Sequence, residues 1–131
     1  MILLDTHVLI WYLDNPNLCS KKALNAINIA QKENNIFISS MSIWEITMLV
    51  KKGRLEFKMD VNLWIKKCEQ LPFLNFIPVD NDIAYHSVTL PSPLHNDPVD
   101  RILIATSRIH KKTIITKDER ILNYNHITSI W

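Results

Sequence analysis

Glycine is almost absent from this sequence, since Gly53 is the only one among 131 residues. Dinucleotide fingerprints, P-loops and nucleophile elbows all need glycines at fixed offsets, because the backbone must turn tightly or approach a phosphate closely. None of these motifs occurs in a sequence with a single glycine. NAD enzymes, P-loop NTPases and α/β-hydrolases are therefore disfavoured as function classes.

Cysteine is also scarce, and no long hydrophobic run is present. Cys19 and Cys68 form no CxxC pair and have no histidine at metal-ligand spacing, so we expect two reduced, mostly buried thiols. The N-terminus lacks a basic region before its apolar run, and no apolar stretch approaches the ~18 residues of a membrane span. We therefore expect a cytoplasmic protein.

The composition that remains is typical of a globular protein. Apolar residues make up 47% of the chain and charged residues 21%, and the length suits one domain over residues 1–131 with a full core. The formal charge of +2 does not by itself indicate a nucleic-acid-binding protein, although it is compatible with one. Any basic surface that binds nucleic acid would have to be a local patch.

Apolar runs with strand and helix periodicities alternate along the chain, which favours a parallel sheet covered on both faces. Helices are expected after Thr6, Ser20 and Asp60, over residues 82–90, at Pro98 behind its cap Asp97, and as a short turn from Asp118. Another should start at the capping box Ser42–Glu45 and stop at Gly53. The expected strands are residues 1–4, 36–39, 73–79, 113–116 and 127–130.

Acidic residues follow strand ends or open helices, and in such a fold both positions lie at the carboxyl edge of the sheet. Capping alone explains each acid. Three would be N-caps, and two would be third helical residues that reach back in a capping box. The acids are Asp5, Glu45, Asp97, Asp100 and Asp118.

Convergence of these acids would have a different chemistry. Carboxylates a few ångströms apart raise one another's pKa unless a cation lies among them, and hard oxygen ligands suit Mg²⁺ or Mn²⁺. Such an ion activates water and stabilises the oxygens of a phosphodiester displacement. Spacing along the sequence places the acids on one edge but does not bring them together.

Four segments in this order resemble the PIN-domain family and, more narrowly, the VapC-type toxins of type II toxin–antitoxin systems. Each motif is weak by itself, whereas the set spans nearly the whole chain. Two departures are His7, where the wider family often has Asn or Ser, and Ser107, where Ala is common. The segments are residues 3–11 (LLDTHVLIW), 39–46 (SSMSIWEI), 90–105 with HNDPVDRILIA, and 115–118 (ITKD).

The resemblance implies a five-stranded parallel sheet in a three-layer α/β/α sandwich and a metal-dependent endoribonuclease that uses Mg²⁺ or Mn²⁺. It also implies a homodimer and a cognate VapB-like antitoxin that blocks the site, often with a basic side chain. Asp97 is second choice for the metal, and Thr6 and Thr116 fall where the family has small hydroxyl residues. The catalytic and metal-binding acids would be Asp5, Glu45, Asp100 and Asp118.

Other side chains have competing interpretations. His95 adjoins the acidic motif and could support it, although a lone histidine is more often structural. Trp11 and Trp44 lie in helical apolar patterns and are expected in the core. Arg101 and Lys117 adjoin proposed ligands and are the best candidates for RNA contacts, since scattered lysines usually form a solvated face.

Two other function classes stay open at this point. A phospho-acceptor signalling domain also gathers acids at a sheet edge, and Asp80 follows the third expected strand, but Asp5 has no acidic neighbour. The other alternative is a catalytically inactive binding module in which the acids only cap helices.

Overall fold

A computed structural model describes residues 1–131 as a five-stranded sheet with helices on both faces. All neighbouring strands are parallel, in the order β3-β2-β1-β4-β5. The strands are β1 Ile2–Leu4, β2 Ile36–Ser39, β3 Leu74–Ile77, β4 Thr113–Ile115 and β5 Ser129–Ile130. The helices are α1 Thr6–Asp14, α2 Lys21–Lys32, α3 Ser40–Lys51, α4 Val61–Glu69, α5 Asn81–Val88, α6 Pro98–His110 and α7 Glu119–Leu122, with a 3-10 turn at Pro16–Leu18.

The central strand β1 divides the core into two layers, because successive side chains of a strand point to opposite faces. Ile2 and Leu4 belong to a cluster that includes buried residues of α1, α2 and α4. Leu3 belongs to the other cluster, with buried residues of α5, α6 and α7. The three-layer α/β/α sandwich expected from the sequence is therefore confirmed, and Leu3 and Leu4 are completely buried.

Acidic N-caps start most of the helices that leave the carboxyl edge. Asp5, Asp97 and Asp118 each accept a hydrogen bond from a backbone N–H in the first turn, as the capping interpretation predicts. Asp60 and Asp80 do the same for α4 and α5. Capping thus accounts for one oxygen of each of these carboxylates, and the other oxygen is free to make further contacts.

The predicted capping box at Ser42–Glu45 is wrong. The N-cap of helix α3 is Ser39, three residues earlier, and the helix begins at Ser40, because the hydroxyl of Ser39 at the end of β2 accepts from Met41 N at 3.1 Å. Ser42 is instead buried inside the first turn, and Glu45 is the sixth residue of the helix. Gly53 does follow the end of α3, with a positive φ of 71°.

Some side chains lie differently from their expected places. Trp44 was expected in the core, but it is 53% exposed on α3. Trp11 is half-buried and packs against Trp131, with ring centroids 5.8 Å apart. Cys19 and Cys68 are buried and unpaired, as expected. The longest helix, α6, has 13 residues, and no helix has the length and apolar character that a membrane crossing requires.

Candidate active site

An acidic cavity of about 190 Å³ opens at the carboxyl ends of β1 and β4. It collects acids from different elements: one follows β1, one lies on α3, two open α6 and one follows β4. Because β1 pairs with β4, residues more than a hundred positions apart meet there. We call it the acidic cavity, and its lining residues are Asp5, His7, Val8, Trp11, Glu45, Asp97, Asp100, Lys117, Asp118 and Arg120.

Both carboxylate oxygens of Asp5 are held by donors. Oδ1 accepts from Thr6 N at 2.7 Å, and Oδ2 accepts from Thr116 Oγ1 at 2.7 Å. Burial raises the pKa of Asp5 above its usual value despite these hydrogen bonds, and the neighbouring Asp118 raises it further. A fixed carboxylate whose ionised form is disfavoured is therefore present at the end of the central strand.

Thr6 and Thr116 are both buried and join the elements that carry the acids. Thr6 Oγ1 donates to Ser42 Oγ at 2.9 Å and so ties α1 to α3, the helix of Glu45. Thr116 Oγ1 accepts from Asp118 N at 3.0 Å while it donates to Asp5. These hydroxyls fix the acids relative to one another, which a sequence position alone does not reveal.

Asp100 is the most strongly perturbed acid. Its side chain is only 13% exposed, and burial raises its pKa to about 6, with further increases from Asp97, Asp5 and Asp118. His95 Nε2 lies 2.7 Å from Asp100 Oδ2 and donates to it, since an ionised carboxylate can only accept. This hydrogen bond lowers the pKa but does not offset burial. His95 thus contacts the acidic cluster directly, as its position beside the motif suggested.

Arg120 forms ion pairs with two acids of the cavity, and the sequence interpretation missed it. Its Nε lies 3.2 Å from Asp118 Oδ1, and one terminal nitrogen lies 2.9 Å from Asp118 Oδ2 and 3.4 Å from Asp100 Oδ2. The pKa of Asp118 is lowered, chiefly by the hydrogen bond from Arg120. The sequence did contain a signal for this contact, because Arg120 lies two residues after Asp118, in the first turn of the helix that Asp118 caps.

The two predicted RNA-contact residues differ in their placement. Lys117 is exposed at the rim of the acidic cavity, with its ammonium 5.9 Å from the ring centroid of Trp11. The guanidinium of Arg101 donates instead to the carbonyl oxygens of Ser87, Leu94, His95 and Val88. Arg101 therefore holds the loop before α6 against α5 and does not line the acidic cavity. Asp80, the residue of the phospho-acceptor alternative, caps α5 and does not line it either.

The donor chemistry of the acidic cavity fits a hard divalent cation. Five carboxylates line it, and the pKa values of Asp5 and Asp100 are raised, chiefly by burial and in addition by neighbouring carboxylates. The side chains do not form a closed group of three metal ligands, and Arg120 bridges two of the acids instead. Oxygen donors of this kind bind Mg²⁺ or Mn²⁺ together with water and a phosphate oxygen.

The fold and the cavity define a class of protein: a three-layer α/β/α domain with clustered acids at the carboxyl edge of a parallel sheet. The sequence model of the PIN domain matches residues 2–127, so the chain belongs to the PIN-domain family.

Known proteins are similar to this chain over nearly its full length. Ribonuclease VapC22 of Mycobacterium tuberculosis is 28% identical over 125 residues, which cover 95% of this chain and 92% of the relative. VapBC2 from Rickettsia felis, solved bound to a DNA fragment from its promoter, superposes with a TM-score of 0.73 at 16% identity, covering 99% of this chain and 98% of that chain. FitAcB from Neisseria gonorrhoeae superposes with a TM-score of 0.70 at 20% identity, covering 100% of this chain and 97% of that chain. The solved structures support the fold.

Proposed function

We propose that this chain is an endoribonuclease that hydrolyses RNA phosphodiester bonds with a Mg²⁺ or Mn²⁺ ion bound by Asp5, Glu45, Asp100 and Asp118. The observation that carries the proposal is the convergence of these acids on one cavity, with the pKa values of Asp5 and Asp100 raised. The similarity to a protein named as a ribonuclease supports RNA as the substrate.

The side chains would divide the work as follows. The bound ion would supply an activated water and neutralise charge on the phosphodiester. Thr6 and Thr116 hold Asp5 in a fixed orientation, and His95 orients Asp100 through their 2.7 Å hydrogen bond. Lys117, exposed at the rim, is placed to meet a backbone phosphate. Asp97 serves α6 as its cap and stays the second choice as a ligand.

Replacing Asp5 by Asn tests the proposal, because the amide keeps the size of the side chain and a hydrogen-bond acceptor but removes its charge. RNA cleavage should fall by at least about 100-fold, since changes even in partners of metal ligands typically cost about 10–100-fold. The measurement is cleavage of labelled RNA with Mn²⁺ and with EDTA, together with growth after induction.

Asp60→Asn is the matched control, because Asp60 caps α4 outside the acidic cavity and Asn is also a good cap. It should cleave RNA like the unmodified protein. Full activity of Asp5→Asn with a native circular dichroism spectrum would refute the nuclease site. No heat of Mn²⁺ binding by calorimetry, combined with no cleavage, would favour an inactive binding module.

The proposal includes a VapB-like antitoxin and a homodimer. Solved structures with this fold include a toxin–antitoxin complex from Klebsiella pneumoniae, which supports an antitoxin partner here. Tyr85 and Val88 lie three positions apart on α5 and are 65% and 77% exposed, which leaves an apolar face for a second copy. Light scattering of the purified chain measures its molar mass, which should be that of a dimer.

The antitoxin is tested by co-expressing the product of an adjacent reading frame, which should restore growth. A monomeric mass or a lack of rescue would refute the dimer or that antitoxin, respectively, but not the nuclease proposal.

A further inference from the structure

A second cavity, of about 490 Å³, lies at the opposite edge of the sheet, where α6 ends and β4 begins. Four of its nine lining residues are basic or histidine, and none is acidic. Thr113 and Thr128 add hydroxyl groups to the lining. We call it the basic cavity, and the four residues are Arg108, Lys111, Lys112 and His126.

The positive charges of the basic cavity have no acidic partners. Arg108 donates to the carbonyl oxygen of His126 at 2.8 Å, and the ammonium of Lys112 lies 3.9 Å from the ring centroid of Phe37. These contacts position both cations without neutralising them, and none of the ion pairs in the structure involves Arg108, Lys111 or Lys112.

The end of α6 explains only a small part of this cluster. A helix C-terminus carries a partial charge equivalent to about half a negative elementary charge. Arg108, Lys111 and Lys112 together carry three formal positive charges at neutral pH, so most of the charge remains uncompensated. Like charges held together repel one another, and a bound polyanion would relieve this repulsion.

We infer that the basic cavity is a second RNA-binding site, which holds backbone phosphates of the substrate remote from the bond that is cut. A guanidinium, two ammonium groups and adjacent hydroxyls are the donors that phosphate oxygens accept. The inference rests on the proposed nuclease function for its choice of RNA as the polyanion.

Strand β4 connects the two cavities. Thr113, at its start, lines the basic cavity, and Lys117, just past its end, lines the acidic one. Four residue steps at about 3.3 Å each place the Cα atoms of Thr113 and Lys117 about 13 Å apart, and an RNA that runs over the surface between the two edges must span more than this. An RNA segment that carries several phosphates can contact both cavities, whereas a dinucleotide, which has a single phosphodiester, can occupy only one at a time.

The test is RNA binding by the full chain in which Lys111→Asn and Lys112→Gln remove two charges. Asn is chosen at residue 111 because Lys111 has a positive φ of 54°, a conformation that Asn tolerates. The measurement is fluorescence anisotropy of a long single-stranded RNA in an Asp5→Asn background, as a function of salt. Affinity should fall roughly tenfold, and the slope of log K against log salt should become shallower by about 1.4, which is about 0.7 for each phosphate that is no longer neutralised.

Lys51→Asn with Lys52→Gln is the matched control, since it removes the same charge from the exposed end of α3. Its salt slope should equal that of the parent. Lys112→Arg, which keeps the charge, should retain binding. Thermal unfolding of each variant establishes that it is folded, and Arg108→Gln provides a second route to the same loss of affinity.

Several outcomes would overturn the inference: an unchanged slope in the Lys111 and Lys112 variant, an equal loss of affinity in the control, or displacement of the RNA by polyaspartate at equal affinity. The binding assay does not depend on cleavage. A parent protein that cleaves no RNA with Mn²⁺ would count against the nuclease proposal, while the salt slopes would still decide whether the basic cavity binds RNA.

Discussion

Arg120 contacts two of the acids that line the acidic cavity. Its guanidinium lies 2.9 Å from one oxygen of Asp118 and 3.4 Å from one of Asp100. A divalent ion that binds the same oxygens must displace these contacts, because a carboxylate oxygen has a limited number of lone pairs. Arg120 therefore competes with the metal in the proposed enzyme.

Replacing Arg120 by Gln should tighten Mn²⁺ binding roughly fivefold, the size expected for an exposed charge pair. Calorimetric titration measures the affinity directly and needs no RNA. Arg108→Gln, at the other edge of the sheet, changes the net charge equally and should leave the affinity unchanged. Weaker Mn²⁺ binding by Arg120→Gln would mean that the guanidinium assists the metal.

The raised pKa of Asp100 predicts a dependence of stability on pH in EDTA. Its folded pKa of about 6 exceeds the usual 3.8, so the folded state binds the proton more tightly than the unfolded state. The stabilisation from this proton is complete below pH 3.8 and is lost as the pH rises through about 6. Asp100→Asn should therefore be more stable than the parent at pH 8, by at most about 3 kcal/mol.

Urea unfolding at several pH values measures this difference, which should shrink as the pH falls through 6 and vanish near 4. Asp60→Asn supplies the matched control outside the acidic cavity. If Asp100→Asn were no more stable than the parent at pH 8, the carboxylate would already be neutralised within the fold.

At the scale of the elements, the start of α6 combines a structural acid with a proposed ligand. Asp97 Oδ1 accepts from Asp100 N at 3.0 Å and so fixes the first turn that carries Asp100. Asp97→Ala should lower the free energy of unfolding by about 1 kcal/mol, whereas Asp97→Asn should be neutral because Asn caps equally well. Chemical unfolding measures the free energy of unfolding of each variant, and an RNA cleavage assay measures its activity. Loss of cleavage in Asp97→Asn comparable with that in Asp5→Asn would make Asp97 a metal ligand.

The sequence predicted the elements well, because each apolar run is bounded by a residue that ends it. It could not choose among the serines at the start of α3, since the end of β2 makes Ser39 the cap. Nor could periodicity show that Trp44 faces solvent, because nothing packs over that side of α3. Exposure depends on which neighbouring helices cover a face, and that is a property of tertiary packing.

Strand order was the largest gap between the sequence and the site. Asp5 and Thr116 are 111 positions apart, and they meet because β1 pairs with β4. Apolar runs do not reveal which strands are neighbours, so the sequence placed the acids on one edge without bringing them together. The choice of acids rested on the family resemblance. Neither the apolar runs nor the family resemblance could predict the directions of side chains such as Arg101 and Arg120.

For the whole molecule, a net charge of +2 conceals a separation of charge between the two edges of the sheet. Acids cap helices at the carboxyl edge, and bases follow the end of α6 at the amino edge. Both arrangements suit the helix dipoles, so the fold itself promotes the separation. A phosphate backbone would be held by the bases and repelled by the acids until a cation neutralises them.

The central place of β1 affects when the site can form during translation. Strands β2 and β3 follow β1 along the chain and can pair while synthesis continues, but the other side of β1 waits for β4. Thr116 and Asp118, which complete the acidic cavity, are synthesised more than a hundred residues after Asp5. A nascent chain of the proposed nuclease therefore has no assembled site on the ribosome until these residues have been made and β4 has paired with β1.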